Sequence, residues 1–259
     1  MNHIFIFHGA EHKVGCTMIA QSVSELIAKT HRKANVLFTA LNGRKSTEYI
    51  YGEPAAIDEY KMQLHSGMGI EKSMLRPYKK TENLYIIAGV EKEEEARNYF
   101  PDNAYTLLES LYGAFDVIVV DTGSELDNGL ALGAMKKGGF LYLVLEQAES
   151  SIGRYERMRE LYARMGIGFN RYLINQFVEN DPYTLSYIAS RLTLNKDSLI
   201  KIDFCESGRQ AELERKTLLE LNQERYKKNI LRIANEMMEM LHMDEITLQR
   251  KRKWTDLLQ

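Results

Sequence analysis

Short β-branched and aromatic runs alternate along this chain with longer stretches of helical periodicity. The sharpest run is Asp116-Val117-Ile118-Val119-Val120-Asp121. Four consecutive apolar residues between carboxylates read as a strand buried on both faces, because a strand with one wet face alternates apolar with polar. Weaker runs of the same kind lie at 4–7, 36–38, 84–87, 140–145, 172–174 and 199–202. Between them, apolar residues recur at helical spacing. Ile19, Ala20, Val23, Leu26 and Ile27 share one face, as do Leu107, Leu108 and Leu111, and further helices are predicted near 130–135 and over 152–165. After about residue 207 the pattern is helical only, from Leu213, Leu218, Leu219 and Leu221 to Ile230, Ile233, Met237 and Leu241. Strands alternating with helices predict a doubly wound α/β fold. Its sheet is mostly parallel, joined by right-handed crossovers, covered by helices on both faces and followed by a helical C-terminus. In such sheets the functional crevice lies beyond the carboxyl ends of the strands.

Length and charge narrow the function classes. The 259 residues suit one large α/β domain or two small ones, and no repeat or low-complexity linker divides them. The expected division is a domain over 1–243 and a helical tail over 244–259. A formal net charge of -2 gives no global basic excess, so nucleic acid is not an expected partner. Arg154, Arg157, Arg159 and Arg164 share a helix with interleaved Glu156 and Glu160, which reads as an exposed, salt-bridged face. The cysteines, Cys16 and Cys205, form no Cys-x-x-Cys pair and imply neither a zinc site nor a disulfide framework. The first eight residues are too short for a signal peptide, and no apolar run approaches the roughly 20 residues that span a bilayer. A soluble, cytoplasmic protein is expected.

The segment between the first strand and the first helix carries the chemistry. Residues 9–18 read Gly-Ala-Glu-His-Lys-Val-Gly-Cys-Thr-Met. A phosphate loop, G-x-x-x-x-G-K-[ST], uses backbone N–H groups and a helix N-terminus to cradle phosphates and a lysine to neutralise them. The strand-to-helix context fits, as do Val14, Gly15 and Thr17. Ala10 holds the first glycine position and Cys16 the lysine position. By itself the loop is equally readable as an ordinary turn with a helix-capping threonine.

The loop resembles the deviant Walker A pattern K-G-G-V-G-K-T-T of the MinD/ParA ATPases, and the resemblance continues in order along nearly the whole chain. Residues 36–42 resemble that family's second strand and D-x-D switch segment. Residues 84–89 resemble its strand ending in a small residue and glycine, and 115–123 its Walker B strand and the switch after it. Ile174-Asn175 is similar to the strand whose terminal asparagine reads adenine, and residues 202–204 to the last strand. The resemblance implies a P-loop NTPase-like fold. It also implies ATP or ADP with magnesium, held by Glu11, His12, Lys13, Val14, Gly15, Cys16, Thr17, Met18 and Asn175, with Thr17 and Asp121 serving the metal. Asp121 is also readable as a turn cap at a strand end, and Asn175 as a cap of its own loop.

The departures matter as much. Glu11 stands where the family has its signature lysine, His12 and Lys13 replace two glycines, Cys16 replaces the phosphate-binding lysine and Met18 a second threonine. Ala40 and Asn42 stand at the two switch aspartates. Phosphoryl transfer rests on positioning and electrostatic stabilisation. Losing one stabilising group at such a site costs on the order of 10² to 10³ in rate. These changes imply a scaffold without working hydrolysis, and no catalytic residue is assigned. Loops lacking the lysine resemble the TadZ/CpaE-like localisation factors of Flp (Tad) pilus assembly. That reading implies a homodimer with protein partners in a localisation, secretion or pilus machine. The alternative is a working ATPase in partitioning or positioning, with Lys13 or Arg44 supplying the missing charge.

Two further readings stay open. A thiol at a helix N-terminus can become reactive, which would make Cys16 a redox sensor; otherwise it is a half-buried filler. Basic residues 250–253 precede Trp254, Leu257 and Leu258. That tail suits a membrane surface, which would put the protein at the membrane periphery, or a last helix docked on the body or on a second copy.

Overall fold

The computed structural model describes residues 3–78 and 81–247. The tail features at 250–259 therefore lie outside the described residues. In chain order the elements are β1 (Ile4–Gly9), α1 (Cys16–Thr30), β2 (Val36–Ala40), β3 (Ala55–Ala56), α2 (Lys61–His65), β4 (Leu84–Ala88), α3 (Pro101–Leu111), β5 (Val117–Asp121), α4 (Gly129–Lys137), β6 (Phe140–Glu146), α5 (Glu149–Arg164), β7 (Arg171–Phe177), α6 (Leu185–Leu192), β8 (Leu199–Asp203), α7 (Gly208–Leu213) and α8 (Glu224–Met240). The strands form one eight-stranded sheet in the order β3-β4-β2-β5-β1-β6-β7-β8. Every pairing between these strands is parallel. The doubly wound α/β class expected from the alternation is the class observed.

Both faces of the sheet are buried, which is why its strands tolerate unbroken apolar runs. On one face Ile4, Ile6, Ile118 and Val120 pack against Leu107 and Leu111 of α3, Leu130 of α4, Ile152 of α5 and Ile188 of α6. On the other, Phe5, Phe7, Val117 and Val119 pack against Ile19, Val23 and Ile27 of α1 and Ile230, Ile233 and Met237 of α8. The alternation along β1 sorts its side chains between the two layers. Burying each such side chain contributes about 1.5–3 kcal/mol. Beyond α8 the chain folds back. Asn235 bonds Ile246 through both its amide groups, and Ile246 is buried beside α8. No helix among the described residues is long and apolar enough to cross a membrane.

The order puts β1 near the middle, between β5 and β6. The chain winds from it to β2, β3 and β4 on one side and to β6, β7 and β8 on the other. The carboxyl end of β1 is thus a point where the winding direction reverses, which places the loop after it in the crevice.

Candidate functional site

The β1–α1 loop is held from three sides. The Gly9 N–H donates to the Gly123 carbonyl at 2.6 Å, and the Ala10 N–H to the Val144 carbonyl at 2.8 Å. The Asn175 amide, from β7, donates to the Val14 carbonyl at 2.8 Å. Gly15 precedes α1 in the left-handed region at φ 85°. A Cβ there would stand 2.3 Å from Asn175 Nδ2, so this position needs glycine for both conformation and space. Lys13, at φ 62°, takes the same region without being glycine. The result is a turned loop whose last residues lead directly into the N-terminus of a 15-residue helix.

Asp121 lies beneath the loop, fully buried at the end of β5. Its Oδ2 accepts from the Thr17 hydroxyl at 2.6 Å and from Asn42 Nδ2 at 2.9 Å. Its Oδ1 accepts from the Gly123 N–H at 3.0 Å. With the Cys16 thiol also bonding to it, Asp121 uses the roughly four lone-pair sites of its carboxylate on the loop and its neighbours. Asn42 also donates to Ser46 Oγ at 2.6 Å, which fixes the segment after β2. Gly89 serves the same segment, because a Cβ there would stand 1.6 Å from the Arg44 carbonyl oxygen.

Cys16 is 7% exposed. Burial first, and then the charge of and hydrogen bond to Asp121, push its thiol well above the usual thiol range. A helix N-terminus lowers a thiol's pKa only if the thiolate is solvated and faces no carboxylate. The burial of Cys16 and the carboxylate beside it favour the filler reading over the redox sensor.

A cleft of about 450 Å³ opens over the loop. Glu11, His12, Lys13, Val14, Gly15, Cys16, Thr17, Met18 and Asn175 all line it, and Asp121 lies just behind. The volume suits a nucleotide-sized ligand. Tyr49, Leu218 and Tyr226 also line the cleft. Met18 is largely buried there, its sulfur accepting from the Leu218 N–H at 3.3 Å.

The electrostatics run against an anion. Glu11, Glu48, Glu125, Asp203 and Glu212 line the cleft, against the full cations Lys13, Arg44 and Arg209. Burial first, and then the Glu11 carboxylate, raise Glu146 above the usual carboxylate range. Arg44 is already engaged. Arg44 Nη2 donates to His12 Nδ1 at 3.1 Å, and His12 Nε2 stands 2.5 Å from Glu125 Oε1. A guanidinium cannot accept, so Nδ1 is the acceptor and Nε2–H the donor. Lys13 is exposed.

The residues therefore fit one part of a Mg-nucleotide and not another. The turned backbone, the helix N-terminus and the Thr17 hydroxyl, backed by the Asp121 carboxylate, suit phosphate and magnesium. Positions 11 and 16 supply no positive charge for a transferring phosphoryl group, because a thiol sits at Cys16 and a carboxylate at Glu11. Among the described residues no cluster of three His, Cys, Asp or Glu side chains could hold a metal by itself.

Sequence reasoning missed several residues of this site. Glu125 follows Asp121 by four positions, so its place beyond a strand's carboxyl end was a usable signal. Arg154 was read as part of a helix-borne surface, yet its Nη2 reaches across to Glu125 Oε1 at 3.2 Å. Arg209, Glu212 and Tyr49 had no signal, since only the tertiary fold brings them to the loop.

No protein-family model matches the chain, and a search of curated proteins finds no match. Solved structures match by shape. A ParA family ATPase from Chlorobium tepidum TLS superposes with a TM-score of 0.78 at 17% identity, covering 90% of this chain and 99% of that one. The septum site-determining protein MinD of Pyrococcus horikoshii OT3, solved with Mg-ADP, gives 0.73 at 16%, covering 91% and 96%. A substituted form of Cyanothece McdA, solved as its ATP complex, gives 0.71 at 16%, covering 95% and 99%. The chain is thus similar in shape over nearly its full length to these structures, two of them solved with nucleotide, and its fold is the P-loop NTPase-like fold of the ParA and MinD ATPases.

Proposed function

We propose that this chain is a localisation or assembly scaffold on a ParA/MinD-type fold, taking ATP or ADP with magnesium at its β1–α1 loop without productive hydrolysis. One observation carries the reading: the loop keeps the shape of a phosphate cradle and has lost its charge. Gly15 at φ 85° and the Thr17–Asp121 pair at 2.6 Å supply the shape. The buried thiol of Cys16 and the carboxylate-rich cleft remove the cations that phosphoryl transfer requires.

A working ATPase would need Lys13 or Arg44 on the phosphates. Arg44 donates to His12 instead, which favours the scaffold. The changed loop is also what supports a TadZ/CpaE-like role in pilus assembly or secretion. In that role the chain works in the cytoplasm, at the membrane periphery, as a homodimer with protein partners. Exposed Val178 and Phe204 suit such contacts. A related fold has been solved as a MinC:MinD complex from Aquifex aeolicus.

Calorimetry of the full chain with Mg-ADP, wild type against Thr17→Ala, tests the binding half. Saturable binding weakened about tenfold or more by the substitution is expected. No heat in the wild type would leave a protein that keeps the fold alone. Sedimentation velocity with and without nucleotide tests the homodimer, and a monomer at all concentrations contradicts it.

A further inference from the structure

We propose that His12 ties together the two segments beside the phosphate-site loop, in place of a bound γ-phosphate, so that nucleotide state does not move them. The segments are 42–46, after β2, and 122–127, after β5. They lie side by side next to the loop because β5 neighbours β1 and β2 neighbours β5. In phosphate-switched proteins, segments so placed are ordered by the γ-phosphate and its magnesium, and released when it leaves.

Here a side chain of the loop makes those contacts. His12 Nδ1 accepts from Arg44 Nη2 at 3.1 Å and lies 3.1 Å from Ser124 Oγ. His12 Nε2 lies 2.5 Å from Glu125 Oε1, and the same oxygen takes Arg154 Nη2 of α5 at 3.2 Å. The tie thus runs Arg44–His12–Glu125–Arg154 and joins four separate segments through one imidazole. Each segment is also fixed at its base. Asn42 donates to Asp121 and Ser46. The Gly123 N–H donates to Asp121 Oδ1, and the Arg154 guanidinium reaches the Ser124 carbonyl at 3.5 Å. A glycine at position 12 could make no such tie, and neither could any residue lacking two ring nitrogens or their equivalent. The proposal explains why a bulky polar residue occupies a loop that elsewhere needs to be small. Its second half, insensitivity to nucleotide state, rests on reading the cleft as a nucleotide site; the tie itself does not.

Hydrogen exchange of the full chain tests both halves. In the absence of nucleotide, His12→Ala is expected to speed exchange about tenfold in both segments together, the loss of one or two charge-assisted bonds at a half-exposed site. His12→Gln, which can still donate and accept, restores much of the protection. Arg44→Ala loosens 42–46 alone. Core amides of β1 and β5 stay unchanged in all three and report that the fold is intact. Both segments within twofold of wild type in His12→Ala, or loosening of only one, overturns the tie. With calorimetry showing bound nucleotide, wild-type protein is expected to give the same exchange in both segments with Mg-ATP and Mg-ADP. A clear difference between the two overturns the insensitivity. Absence of binding removes the nucleotide reading of the cleft and leaves the tie to be judged on the variants alone.

Discussion

His8 sits on β1, one residue before the loop begins, and it is fully buried. The Thr122 hydroxyl donates to the Phe7 carbonyl at 2.9 Å, so its oxygen is free to accept from His8 Nδ1–H at 3.0 Å. Nε2 then accepts from the Tyr162 hydroxyl at 2.9 Å. Both ring nitrogens are used and the ring is neutral. Burial first, and then the Arg154 charge, hold its pKa at about 3, against 6.5 for a free imidazole. The folded state binds the proton more weakly than the unfolded chain. The associated stability is therefore complete above pH 6.5 and lost as pH falls from there toward 3. At pH 5 the unfolded imidazole is protonated about 1.5 pH units below its midpoint, which costs about 2 kcal/mol of folding stability. His8→Gln keeps a polar side chain that cannot titrate, so it removes this dependence whatever its effect at neutral pH. Glu149, held at about 2 chiefly by its hydrogen bonds with Arg191, acts only below its ordinary 4.5 and so outside this window. Urea unfolding followed by far-ultraviolet circular dichroism at pH 7.5 and pH 5 gives the comparison. Wild type is expected to lose about 2 kcal/mol more than the variant between the two conditions. Equal losses would refute the assignment of His8 as a buried neutral group.

Two other outcomes follow from the loop. Gly15→Ala forces a side chain into the left-handed region and against Asn175, and is expected to lower stability by about 1–3 kcal/mol in thermal unfolding; an unchanged melting temperature contradicts the geometry. Alkylation by iodoacetamide is expected at Cys205, which is partly exposed, well before Cys16. A faster Cys16 would restore the reactive-thiol reading.

The parts legible in the sequence were those with local signals. The apolar run ending at Asp121, the five-residue helical stripe from Ile19 to Ile27 and the glycine before Thr17 each announce themselves within a few residues. Order along the chain then located the cleft, and every binding candidate of the loop lines it together with Asn175, which is 158 residues after Thr17. What stayed hidden was of two kinds. Elements too short for a period, such as β3 with two residues and α2 with five, left no pattern to read. Long-range polar pairs, such as His12 with Glu125 and Glu125 with Arg154, depend on which strands become neighbours. Local sequence does not state that. The fate of Cys16 belongs to the second kind, because a thiol at a helix N-terminus gains or loses reactivity according to the carboxylate that packs beside it.

The central claim is that the cleft keeps the shape for nucleotide and lacks the charge for turnover. It is tested most directly by measuring release of inorganic phosphate from Mg-ATP by the full chain, under conditions where calorimetry shows the site filled and with any stimulating partner present. The expected result is bound ATP that persists with no release above the protein-free rate. Sustained release that disappears in Lys13→Ala would contradict the claim and make the exposed loop lysine the missing cation.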